Sequence, residues 1–241
     1  YSLEQSGLTT EAYKIYYELF LNHPQSYKIY EPIKKILLNE KNIEELKKIT
    51  QQYLDANNNS LDSIVQVFDV LITLEQYNKI NFVLDNLIKQ FPEDKNSIKK
   101  VLKKLLNKNK MDEVLNTIKE IRKKDNDFFA LELGMHYSIT MEIEKSLDQF
   151  FLYLNNNPKQ KDFVFNRVLA MPDLDFIIEK IKIHLLNNDN KNGKLLLSKI
   201  EFKQKNYTKS YALISEYKEE EHYIKFVEDL IKVKEFELAE K

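Results

Sequence analysis

The stretch FFALELGMHYSITMEIEKSLDQFFLYLNNNP, residues 128–158, decides the fold. Leu133, Gly134 and Tyr137 fall on one helical face, a polar break follows, and Ile143, Ser146, Phe150 and Tyr153 recur at helical intervals before Pro158 ends the run. This is one hairpin of two amphipathic helices. Small residues at Gly134 and Ser146 predict a close approach of the two backbones.

Working outward, the same hairpin returns with different side chains. Pro24, Pro92 and Pro158 each follow a second helix and are separated by 68 and 66 residues, close to two units of about 34 residues apiece. The residues expected to open the second helices give another ruler: Ile43, Tyr77, Met111, Ile143, Leu174, Tyr207 and Phe236. Within the units, Ile64, Val67, Phe68 and Leu71 form a stripe that Ile98, Val101, Leu102 and Leu105 repeat one unit later. One such hairpin cannot hide its apolar face, whereas stacked hairpins share a continuous core. An ordinary helical bundle would show the stripes but has no reason to keep the period. Ser60 is expected to cap one continuous helix through Leu74, and Asn42 with Glu45 resembles a capping box for the helix opened by Ile43.

These residues resemble a tetratricopeptide repeat (TPR) array. Gly7, Ala12, Tyr16, Leu19 and Pro24 match the second half of a unit, and Leu133-Gly134 with Tyr137 the first half. Lys205-Asn206-Tyr207 with Ser210 matches the turn between helices, and Tyr223, Phe226, Val227, Leu230, Phe236 and Ala239 match nearly a whole unit. Three positions depart from the pattern: Lys34 stands where a small residue is expected, Pro32 interrupts a first helix, and Pro172 breaks the unit between Phe163 and Asn187. The resemblance implies an all-α, right-handed superhelical solenoid of antiparallel helix pairs, about six full repeats with partial ones at each end, forming one domain over residues 1–241. Tyr1 and Ser2 read as the end of a helix and Lys241 falls inside another, so a piece of a longer chain is expected.

Composition narrows the function classes. With net charge −1, three glycines and five prolines, the chain reads as a soluble helical protein and leaves little material for hairpins of strands or glycine-rich loops. No apolar run approaches the roughly 18 residues of a membrane span. The absence of cysteine excludes disulfides and thiolate chemistry, and it suits cytoplasm and periplasm alike. His23, His136, His184 and His222 have no metal-ligand spacing, and the glycines form no phosphate-cradling loop or nucleophile elbow. No catalytic site, cofactor or metal is expected, and the chain reads as a non-enzyme.

Partner binding is the remaining class. The resemblance implies that first helices line a concave groove receiving a peptide or helix of a partner, through Lys28, Glu31 and Lys35, then Asp62, Val65 and Asp69, then Asn96, Lys99 and Lys103. In the next unit Phe128, Leu131 and Met135 stand at i, i+3 and i+7, an apolar strip expected to be exposed beside the lysines. Lys99, Lys103, Phe128, Leu131 and Met135 are therefore the expected partner site. Residues 95–124 hold eleven basic and three acidic residues. This patch lacks the interleaved aromatics that stack bases, so nucleic acid is the less favoured partner. The other reading is an accessory subunit of an enzyme or envelope assembly, docked through its ends or convex face.

Overall fold

A computed structural model describes residues 9–90, 93, 95–187, 190–216 and 220–240. Their regular structure is helical throughout, with sixteen α-helices and one short 3-10 turn at Pro158–Gln160. The helices are α1 (Thr9–Asn22), α2 (Tyr27–Asn39), α3 (Ile43–Ala56), α4 (Leu61–Gln66), α5 (Phe68–Thr73), α6 (Tyr77–Lys89), α7 (Lys95–Asn107) and α8 (Met111–Ile121). Then come α9 (Ala130–Ile139), α10 (Ile143–Asn156), α11 (Lys161–Leu169), α12 (Asp175–Asn187), α13 (Lys191–Lys203), α14 (Tyr207–Ser215), α15 (Glu220–Lys232) and α16 (Phe236–Ala239). Six full hairpins are described, with α1 before them and the α15–α16 pair after. Gly7, Pro92 and the Asn188-Asp189 part of one expected turn lie outside the described residues.

The chain divides into two compact units, residues 1–126 and 127–241. In the first, each hairpin lies against the next: α5 packs on α7 and α6 on α8, first helix beside first and second beside second. In the second, α11 packs on α13 and α10 on α12 in the same way. This stacking buries the predicted stripes. Val67, Phe68, Leu71, Val101 and Leu102 have no measurable exposure in the first unit. Leu147, Phe150, Val164, Phe165, Ile177 and Leu196 join in one cluster in the second.

The second-helix ruler falls on helix starts at Ile43, Tyr77, Met111, Ile143, Tyr207 and Phe236, and misses at Leu174 by one residue. All six share one turn. The residue two places before the helix is left-handed in each, at Lys41, Glu75, Asn109, Met141, Lys205 and Lys234. The next amide then reaches back five residues, as Asn42 N to Leu37 O at 2.9 Å and Glu142 N to Tyr137 O at 2.9 Å. This bond satisfies a carbonyl that the helix end leaves without a partner. The hairpin carrying Pro172 lacks a residue of this left-handed kind.

The hairpin of residues 128–158 approaches closely for the expected reason. Ser146 Oγ donates to the Gly134 carbonyl at 2.8 Å. A Cβ on Gly134 would stand 2.6 Å from Cδ1 of Phe150. Sixty-four residues later the same pair recurs as Ser198 and Ser210, whose hydroxyls lie 2.9 Å apart. Asn42 accepts from Glu45 N and Ser60 from Ser63 N, both at 3.3 Å, as expected of caps.

Two helix boundaries correct the sequence expectation. The helix after Ser60 is not continuous, because Val67 at φ −96 and ψ 11 separates α4 from α5. The first helix of residues 128–158 begins at Ala130, after Phe129 turns the chain at φ 62. By contrast, α2 runs through Pro32.

Candidate functional site

The five expected partner residues divide between the units. Lys99 and Lys103 sit on α7, the first half-buried and the second exposed. Leu131 and Met135 lie on α9, partly buried and packed against the second unit's core cluster. Phe128 corrects the expectation of an exposed trio, since only 2% of it meets solvent. The cause is the turn: Phe128 precedes the helix, so the spacing that placed it on the Leu131 face does not apply. Its ring instead stands 6.1 Å from that of Phe129.

The first unit brings together a different set on the same first helices. Lys34 on α2, 6% exposed, is 2.7 Å from Glu31 and 3.2 Å from Asp69 on α5. Lys104 on α7 donates to the other Asp69 oxygen at 3.3 Å and to the carbonyls of Val65 and Gln66 at 2.8 Å each. Its three ammonium hydrogens thus meet three acceptors, two of them the carbonyls of the last two residues before the helix breaks at Val67. Lys34, Asp69 and Lys104 are 35 residues apart, one repeat each, and their charges alternate. A cation, an anion and a cation tie three successive first helices together.

Electrostatics follow from this packing. Burial would raise the Asp69 carboxyl, but the charges and hydrogen bonds of Lys104 and Lys34 outweigh it and hold the carboxyl below the usual carboxylate range. Burial acts likewise on Glu31, where hydrogen bonds from Lys34 and Tyr27 prevail and lower it. Burial lowers the Lys104 ammonium against the pull of Asp69. The Tyr27 phenol is raised, first by burial and then by its bond to Glu31.

The ladder was missed because a buried charge leaves no hydrophobic signal; the available signal was the alternating sign at one repeat position. It also accounts for Lys34, the departure from the small residue expected there. The basic patch of residues 95–124 is partly engaged from within. Lys95 pairs with Asp125 at 2.7 Å, Lys108 donates to Thr73 at 3.1 Å, and Lys110 lies 5.7 Å from the centre of the Tyr77 ring. Among the histidines, His184 Nε2 is 3.2 Å from an Asp148 oxygen. Among the described residues no three His, Asp or Glu side chains gather as a metal site would require. No helix among them is long and apolar enough to cross a membrane.

No protein-family model matches the chain, and no curated protein matches it. Among solved structures it is similar to YrrB, described as a TPR protein with an unusual peptide-binding site, at 18% identity and TM-score 0.35 over 65% of this chain and 81% of that one. It is also similar to a tetratricopeptide repeat protein from Parabacteroides merdae, at 12% identity and TM-score 0.39 over 90% of this chain and 88% of the other. The chain is thus an all-α protein of repeated helical hairpins with TPR proteins among its structural neighbours.

Proposed function

We propose that this chain is a non-catalytic interaction scaffold whose first-helix face receives a peptide or helix of a protein partner. The observation that carries the reading is the register of the first helices. The Lys34–Asp69–Lys104 ladder fastens α2, α5 and α7 side by side, so that side chains beside it form one surface rather than three independent helices. Lys99 and Lys103 on α7 are the proposed contacts of the first unit; Leu131 and Met135 on α9 are proposed separately as contacts of the second. Phe128, buried just before α9, is not a contact in this reading. The test is affinity capture from native extract with the full chain and with Lys99→Glu/Lys103→Glu, whose lysines lie outside the core. Loss of the same partner from the variant at unchanged helicity is the expected result; equal recovery contradicts the site.

A second reading is favoured by one surface. On α12, a second helix, Phe176, Ile183 and Leu186 are 60%, 50% and 64% exposed. An apolar stripe of this kind suits an accessory subunit docked through its second-helix face. Phe176→Glu/Ile183→Glu abolishing capture, with Lys99→Glu/Lys103→Glu harmless, would favour that reading over the first.

A further inference from the structure

Within the second unit, α11, α13, α14 and α15 line a half-open cavity of about 80 Å3. Phe165, Phe202 and Phe226 contribute its aromatic wall, one ring each from α11, α13 and α15. The Phe202 and Phe226 rings meet edge to face with centres 5.6 Å apart. At about 10–15 Å3 per water-sized group, the space holds roughly five to eight such groups, the size of a small organic molecule.

The polar lining is unevenly satisfied. Lys225 is 4.0 Å from Asp162, Asp229 binds Lys232 at 2.8 Å, and Glu221 is exposed. Lys161 on α11 and Lys199 on α13 also line the cavity; both are half-buried, and neither has a hydrogen bond or ion pair among the described residues. Asp162 and Asp229 act on Lys199 only from beyond ion-pair distance, so neither half-buried ammonium is bonded directly to an anion, and a carboxylate entering between them would supply acceptors. Burial lowers the Lys199 ammonium, Lys225 and Lys161 add to that as like charges, and Asp162 and Asp229 oppose it.

We propose that this cavity binds a small apolar carboxylic acid, with its hydrocarbon end against Phe165, Phe202 and Phe226 and its carboxylate between Lys161 and Lys199. The site shares no residue with the proposed partner face and stands or falls separately from it. Benzoate is a suitable probe, titrated into the full chain by calorimetry and by ligand-observed NMR, beside benzamide as its uncharged isostere. Saturable benzoate binding is expected, at least tenfold tighter than benzamide, weakened at least tenfold by Lys199→Met and kept within a few-fold by Lys199→Arg. If Lys199→Met unfolds, Lys161→Met and the benzoate-to-benzamide ratio on the unaltered protein carry the test. No saturable binding, or equal binding of benzoate and benzamide, overturns the proposal. A further arm uses a short peptide carrying phenylalanine beside aspartate. Tenfold tighter binding of that peptide, lost in Lys199→Met, would assign the carboxylate to a protein chain and overturn the small-acid identity.

Discussion

Replacing Gly134 with alanine places a methyl carbon 2.6 Å from Cδ1 of Phe150, a fully buried ring that must shift to admit it. The expected cost is about 1–3 kcal/mol, read from chemical denaturation. A second residue-scale prediction concerns Asp69. Its carboxyl and that of Glu31 are held below the usual range, so their contribution to stability is complete above the ordinary carboxylate pKa near 4. It is lost as pH falls through the lower folded values. Asp69→Asn, which leaves Lys34 and Lys104 facing a neutral amide, should cost about 2–3 kcal/mol at neutral pH and make the acid limb of the stability profile shallower. That is less than a fully buried pair would cost, because 26% of the Asp69 side chain still meets solvent. An unchanged acid limb would show that Asp69 carries no such role. These two residues also differ in legibility. Gly134 announced itself, since a lone small residue on an apolar helical face has few other uses. The Lys34–Asp69–Lys104 ladder did not, because each charge read alone resembles a solvated surface residue.

At the scale of the element, the hairpin turn explains why helix starts were readable to the residue at Ile43, Tyr77, Met111, Ile143, Tyr207 and Phe236. One backbone conformation is used in all six, with a left-handed residue two places earlier and an amide reaching back five residues. None of the six left-handed residues is glycine, and a side chain in that conformation costs roughly 1–2 kcal/mol. Met141→Gly relieves this strain at an exposed turn and should raise stability by about 0.5–1 kcal/mol, after the entropy that glycine adds to the unfolded chain. A lower melting temperature would contradict the turn assignment. The break at Val67 was illegible for a different reason. Its partner is Lys104, some forty residues away, whose ammonium donates to the carbonyls of Val65 and Gln66. Lys104→Met should therefore expose those carbonyls, cost about 2 kcal/mol and speed amide hydrogen exchange over residues 63–71. Phe128 was misplaced by the same limit of local pattern, because the left-handed Phe129 starts the helix two residues later than the apolar spacing suggests.

For the whole molecule, the period near 34 residues was the strongest signal, because stacking forces every unit to repeat the same burial pattern. What the period does not encode is which exposed face a partner meets. First helices and second helices both alternate buried with exposed positions, and both offer candidates: Lys103 on α7, and Phe82 on α6 with 53% exposure. The most direct measurement is site-specific photo-crosslinking in cells, with a photoreactive residue replacing Lys103 in one full-length protein and Phe82 in another. A discrete protein adduct from position 103, absent from position 82, is the predicted result. An adduct from position 82 alone would place the partner on the second-helix face and contradict the account.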